Sequence, residues 1–87
     1  MKKQQIMELA EDVLDNNEAP DWEANLMDQF ASVYADVTED GGCLVVLLNN
    51  LSGDIEDAYI FKNHEEAEEY VYALQAQIFG DEEAFND

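Results

Sequence analysis

The longest uninterrupted run of apolar residues in the chain is CLVVLL, at positions 43–48. It follows Gly41 and Gly42 and precedes Asn49 and Asn50, residues that favour turns. Six residues are too few for a stable helix, and a short apolar run bounded by turn formers is typical of a strand buried on both faces. We therefore predict that this strand lies at the centre of the fold.

Apolar residues recur at helical spacing in the first third of the chain. The spacing over residues 3–16 predicts an amphipathic helix that ends at Asn16 and Asn17. Its apolar stripe consists of Ile6, Leu9, Ala10, Val13 and Leu14. Pro20 suits the first turn of a second helix. The apolar residues on one side of that second helix are Trp22, Leu26, Met27 and Phe30.

Residues 32–38 fit two patterns. Helical spacing continues through Val33 and Val37, which would extend the second helix to about residue 36. The same residues also alternate as in a strand, and their β-branched and aromatic side chains suit a pleated surface. We favour a strand at 32–38, because the sequence DGG at 40–42 would then close a hairpin onto the central strand.

The second half of the chain predicts a third strand at 58–62 and a long helix. Asn63 is a good N-cap and Glu66 stands three residues later, as in a capping box. The helix is therefore predicted from His64 to Phe79, and it should end at Gly80. Its predicted buried stripe is Ala67, Tyr70, Val71, Leu74 and Ile78.

Together these elements predict a small single α+β domain that covers residues 1–87. Their order is α-α-β-β-β-α, with N-terminal helices, a three-stranded antiparallel meander and a long C-terminal helix. Residues 81–87, DEEAFND, are predicted to form an acidic C-terminal tail.

Charge distinguishes this chain from an ordinary small domain. It has 22 acidic residues, three lysines and no arginine, and its formal net charge is -19. Such a charge is typical of disordered chains, but the 47% hydrophobic content and the clear periodicities indicate a folded one. Because self-repulsion lowers stability, the charge favours either solubility or binding to a strongly basic partner.

Several classes of function are disfavoured by the residues themselves. Direct binding to nucleic acid is disfavoured because such proteins displace counterions with lysine and arginine. Because His64 is the single histidine, we expect neither a histidine-based zinc site nor a nucleophile–histidine triad. The segment beginning at Asp36 resembles the start of a calcium loop, but position 12 is Leu47 and not glutamate. We expect no enzymatic activity, no metal and no cofactor.

The location of the protein also follows from its sequence as an expectation. A lone cysteine within an apolar run indicates a reducing compartment, and no apolar run approaches the ~20 residues of a membrane span. We expect a cytoplasmic protein without membrane association, as a monomer or a small homo-oligomer.

One face of the last helix is a candidate binding surface. Glu65, Glu68, Glu69 and Tyr72 lie opposite its predicted core stripe, so an aromatic side chain is placed among carboxylates. Carboxylates three or four residues apart on a helix are about 5–6 Å from each other, which is comparable to the spacing of phosphates along a strand. The acids could equally be a solvated face, with the aromatic residues covering other elements. As a binding surface, the face would combine an aromatic anchor with a charged rim.

The predicted element order, the Asn49-Asn50 turn after the central strand and the acidic segment 81–87 resemble small phage-encoded anti-defence inhibitors, many of which mimic DNA. Among these, the chain is similar to a Cas9-blocking anti-CRISPR protein built from a helix, a three-stranded meander and further helices. The segment 18–30 is additional in this chain. The resemblance implies that acids of the turns and of the C-terminal region occupy a basic DNA-reading site. In this sequence they are Asp36, Glu39, Asp40, Asp81, Glu82 and Glu83.

Charge and resemblance together predict a non-enzymatic inhibitor that binds a basic nucleic-acid-binding protein of a host defence system, of the anti-CRISPR or anti-restriction type. Its carboxylates would take the place of DNA phosphates. The alternative is an immunity or antitoxin-type inhibitor of a basic nuclease or toxin. Both classes would use electrostatic attraction for fast association, so composition does not separate them.

Overall fold

In the computed structural model, which describes the backbone of residues 2–86 and the side chains of residues 2–79, one antiparallel sheet lies between two helices. The four strands follow each other in the sheet in chain order. The elements are α1 (Lys3–Asp15), β1 (Trp22–Leu26), β2 (Gln29–Tyr34), β3 (Cys43–Asn49), β4 (Ile55–Phe61) and α2 (His64–Asn86).

The central strand β3 is confirmed. All six residues of its apolar run are buried, because β3 pairs with β2 on one side and β4 on the other, and a helix covers each face. Alternate side chains therefore enter two separate cores. Cys43, Val45 and Leu47 belong to the core beneath α2, and Leu44, Val46 and Leu48 belong to the core beneath α1.

The first helix is also confirmed. Ala10 and Val13 are buried in the α1 core, and α1 packs mainly on β4. The predicted stop lies where expected: the N–H of Asn16 donates to the carbonyl oxygen of Asp12 at 3.0 Å, and Asn17 takes a left-handed φ of 55°. A residue in that conformation ends the helix, and asparagine tolerates it better than most.

The predicted second helix is wrong. Its residues form β1, the following turn and the start of β2. The two strands pair in register: Trp22 lies opposite Val33 and Ala24 lies opposite Ala31. The apolar positions of this segment fit a period of two as well as the helical period, and pairing with β2 allows Trp22 and Leu26 to reach the α2 core. Pairing with β2 therefore outweighs the helical spacing of these residues. Phe30 packs on the other face of the sheet, against the core beneath α1.

The sheet consequently has four strands and not three. The strand predicted at 32–38 is found earlier in the chain, as β2, and the strand predicted at 58–62 begins earlier, as β4. A register shift between Leu47 and Leu48 marks a bulge opposite the start of β4. The fold remains α+β, with a helix first, then the strands and then a helix, but its element order is α-β-β-β-β-α.

The start of α2 is confirmed, whereas its predicted end is wrong. The N–H of Glu66 donates to Asn63 Oδ1 at 2.9 Å, so Asn63 caps the helix. The helix passes Gly80 and ends at Asn86, because one glycine inside a helix costs only roughly 0.5–1 kcal/mol and no proline follows it. Ala67 and Val71 are fully buried as predicted, but Ile78 is 38% exposed. Ile78 lines an open groove and is not part of the core beneath α2.

Candidate functional site

The first half of α2 carries three of the predicted binding acids on its outer side. Glu65 and Glu69 are exposed, and Glu68 is half-buried. His64 Nδ1 lies 2.9 Å from Glu68 Oε2, a pairing one helical turn apart that orients this carboxylate. Glu65 and Glu69 of the predicted acidic face therefore lie on an exposed surface, and Glu68 lies at its border.

The predicted acids of the β2–β3 loop lie at the same end of the molecule, where β4 ends and α2 begins. The loop carries Asp36, Glu39 and Asp40. It is closed by backbone hydrogen bonds from Val37 N–H to the Gly42 carbonyl oxygen and from Gly41 N–H to the Thr38 carbonyl oxygen, each 3.0 Å long. Asp36 and Gly41 have left-handed φ values of 55° and 80°, which the tight turn requires.

Cys43 shows that the loop and the helix are close together. The pKa of its thiol is raised to about 11, first by burial and then by the carboxylates of Asp21, Asp36 and Glu68. Asp36 belongs to the β2–β3 loop and Glu68 belongs to α2. The fold thus gathers predicted binding residues that lie far apart in the sequence into one acidic end.

The Cys43 thiol of the folded protein should react with an aromatic disulfide reagent at mildly alkaline pH on the order of a hundredfold more slowly than in the urea-unfolded chain. The raised pKa leaves little thiolate, and burial blocks access to it. Absorbance kinetics of the released thiol would measure both rates. Equal rates would contradict the burial of this strand end beside three carboxylates.

Tyr72 has a partly structural role. Tyr72 is 53% exposed, and its ring packs against the ring of Trp22 in β1 with ring centroids 5.4 Å apart. The neighbouring Tyr70 instead packs against Tyr59 and Phe61 of the sheet, each at 5.1 Å. Tyr72 therefore links α2 to the edge strand β1 and still presents half of its surface to a partner.

The predicted acids Asp81, Glu82 and Glu83 lie outside the residues whose side chains are described. Their backbone belongs to α2. Sixteen residues separate Asp81 from Glu65, which at 1.5 Å per residue is roughly 24 Å along the helix axis. The two acidic triplets are therefore separate features and cannot converge on one small cationic group.

Few of the acidic side chains in the described part of the chain are paired with a cation. Within residues 2–79, ion pairs join Lys3 to Asp57 and His64 to Glu68. Lys3 also donates to the Ala58 carbonyl oxygen at 2.9 Å and lies 4.1 Å from the centre of the Tyr59 ring. Burial raises the pKa of Asp57, but hydrogen bonds from Lys3, Tyr59 and the Ala58 N–H outweigh it and lower that pKa overall. The other carboxylates of this part of the chain have no cation at ion-pair distance.

An apolar surface that the sequence did not predict lies at the opposite end of the sheet. We call Met27, Leu51 and Ile78 the end patch; they are 57%, 98% and 38% exposed. They border a groove of about 520 Å³, with the buried Leu26 also in its lining. The polar residues of its lining are Asp28, Gln29, Asn49 and Glu56. The sequence signal was a lone leucine among the turn formers of 49–53.

Hydrogen bonds hold the loops that carry the end patch. Asn49 Oδ1 accepts from the N–H groups of Leu51 and Ser52, both at 2.9 Å. Asn50 ties this loop to the β1–β2 turn, because its backbone N–H donates to the Asp28 carbonyl oxygen at 2.8 Å and its side chain donates to the Met27 carbonyl oxygen at 2.9 Å. The two loops are therefore joined into one unit.

Glu56 is fixed at the border of the same groove. The side-chain amides of Asn49 and Gln29 both donate to its carboxylate. These two hydrogen bonds lower the pKa of Glu56 below its ordinary value, Asn49 having the larger effect. The groove thus has an ordered negative charge beside its apolar residues.

The part of the chain that the structure describes shows neither a metal-binding cluster nor a membrane-spanning helix. Among its residues, no group of three or more histidine, cysteine or acidic side chains is arranged to hold a metal ion. Neither helix, as far as it is described, combines the length and the apolar character needed to cross a membrane.

No known protein family, curated protein or solved structure is significantly similar to this chain. Function must therefore be argued from the surface itself, from its acidic end and its end patch.

Proposed function

We propose that the protein is a non-enzymatic inhibitor of a basic nucleic-acid-binding protein of a host defence system, of the anti-CRISPR or anti-restriction type. Its carboxylates occupy positions on the partner that DNA phosphates would otherwise occupy. The protein acts in the cytoplasm of the host cell, needs no cofactor and does not bind nucleic acid itself.

The observation that carries this proposal is the acidic end, whose carboxylates, apart from Glu68 beside His64, have no cation at ion-pair distance among residues 2–79. Glu65 and Glu69 on α2 and the acids of the β2–β3 loop are exposed at the same end of the molecule, although their mutual repulsion costs stability. One lysine, Lys62, lies at this end in the lining of a groove with Asp40, but a fold that needed only solubility could intersperse more. Complementary charge on a partner would relieve the repulsion and would also accelerate association.

These acids are held by two ordered elements, the β2–β3 loop and α2. This favours mimicry of phosphates at defined positions over a general effect of net charge. The β2–β3 loop is closed by backbone hydrogen bonds, and Glu68 is oriented by His64. Carboxylates held on rigid elements lose little freedom on binding, so that more of the attraction remains as affinity.

Competition with DNA tests the proposal. The immobilised protein would first capture its partner from a bacterial lysate, and the purified partner would then be titrated with labelled double-stranded DNA and with this protein. We expect each ligand to displace the other, and we expect the affinity of the protein to fall as salt rises.

A partner that binds DNA and this protein simultaneously would contradict mimicry. Capture of a toxic nuclease that is blocked without loss of DNA binding would instead support the immunity-type alternative. A lysine-free acidic protein of similar charge is the control, because it separates a shaped acidic surface from charge alone.

A further inference from the structure

We propose that the end patch is a docking site for an apolar side chain of the basic partner, flanked in that partner by lysine or arginine. The proposal rests on the proposed function for the charge of the partner. It assigns the protein a second contact surface, at the opposite end of the sheet from the acidic end.

The first support is the gathering of exposed apolar side chains around a groove. Single exposed leucines are common on protein surfaces, but Leu51, Met27 and Ile78 come from two loops and a helix and border the same groove. Exposed apolar groups that lie together and have a polar rim are typical of interaction sites.

The second support is the conformation of Met27. Met27 and Asp28 form the two-residue turn between Leu26 and Gln29, and Met27 has a left-handed φ of 69°. Glycine is preferred in such a turn because a side chain is strained there. A methionine that is both strained and largely exposed has no benefit for the fold, which indicates a role in binding.

The third support is preorganisation. Asn49 and Asn50 fix the loop that carries Leu51, and Asn50 joins it to the turn that carries Met27. Leu51 is therefore held outward in a defined position before any partner arrives. Binding then requires little ordering of the loop.

Charge decides which occupant the groove takes. Asp28 and the fixed carboxylate of Glu56 border it, so an incoming apolar side chain flanked by cations meets opposite charges at the rim. A second copy of this chain would bring a net charge of -19 against the same acids. The surface therefore suits a basic segment of a different protein.

Two labelled lysine-rich peptides of equal charge provide the test, one with two leucines and one with serine in place of both. Fluorescence anisotropy would give their affinities for the full chain. We expect the leucine peptide to bind roughly tenfold more tightly, which corresponds to about 1.4 kcal/mol. In spectra of the methyl groups, Met27, Leu51 and Ile78 should shift only with the leucine peptide.

Variants locate the effect. Leu51→Asn should abolish the preference for the leucine peptide and leave the serine peptide unaffected, and Met27→Gly should reduce the preference while it raises thermal stability by removing the strained φ. Asp28→Asn should weaken the leucine peptide more than Asp12→Asn does, although both remove one charge. Asp12 is exposed on α1, away from the groove.

Two results would overturn the docking site. One is equal binding of both peptides with no methyl shifts in the end patch. The other is a concentration-dependent dimer, detected by sedimentation, that Leu51→Asn dissolves, because the patch would then bind a second copy. Competition between DNA and this protein for the natural partner is a separate readout. If the two do not compete but the preference for the leucine peptide remains, DNA mimicry is refuted and the docking site is retained.

Discussion

Replacing Leu44 with alanine should lower the free energy of unfolding by about 2–5 kcal/mol. Leu44 is fully buried on β3 and packs in the core beneath α1, between strands on both sides. The substitution removes buried apolar volume that neither the sheet nor the helix can refill. A small domain of this size is marginally stable, so the loss is a large part of its total stability.

Leu51→Ala is the matched control, since it is the same chemical change at a leucine that is 98% exposed. It should alter stability by less than about 0.5 kcal/mol. Urea unfolding followed by circular dichroism would give both values. Similar effects of the two substitutions would show that β3 is not the central buried strand.

Neutralising the acidic face of α2 should weaken partner binding by roughly ten- to hundredfold, because its three charges each contribute about 0.5–1 kcal/mol. The variant carries Glu65→Gln, Glu68→Gln and Glu69→Gln. The lost affinity should appear mainly as a lower association rate constant. The difference from the wild type should shrink at high salt, because salt also screens the electrostatic attraction of the wild type. Stopped-flow association with the captured partner at several salt concentrations would measure it.

The control for this triplet removes the same charge from the other side of the sheet: Glu8→Gln, Glu11→Gln and Asp12→Asn, all exposed on α1. If the acidic end is the contact surface, the α1 variant should lose far less affinity. Equal losses would mean that only net charge matters. Neutralising Asp81, Glu82 and Glu83 in a third variant would show whether the far part of α2 also reaches the partner.

The acidic end and the end patch suggest how one small domain can combine speed with affinity. Exposed carboxylates attract a basic surface over a distance, whereas apolar contacts act only after docking and mainly slow dissociation. The two surfaces lie at opposite ends of the sheet, so a partner must be large enough to reach both. The peptide and association experiments separate the two contributions.

The sequence by itself determined the elements whose signals are local. The apolar run predicted β3 because six buried residues between turn formers suit no other element, and the stripe of Ala10 and Val13 predicted α1. The start of α2 was likewise predictable, since the Asn63 cap depends only on neighbouring residues. The surplus of negative charge and the solvent-facing Glu65 and Glu69 followed from composition and helical periodicity.

Tertiary structure decided everything that depends on distant pairing. The spacing of Trp22 and Leu26 fits a helix and a strand equally, and only the register with β2 selects the strand. The end patch gathers residues 27, 51 and 78 from two turns and the second half of α2, so no local pattern contains it. Exposure is a property of what covers a side chain: among the described residues, Leu51 is left 98% exposed and Ile78 38% exposed.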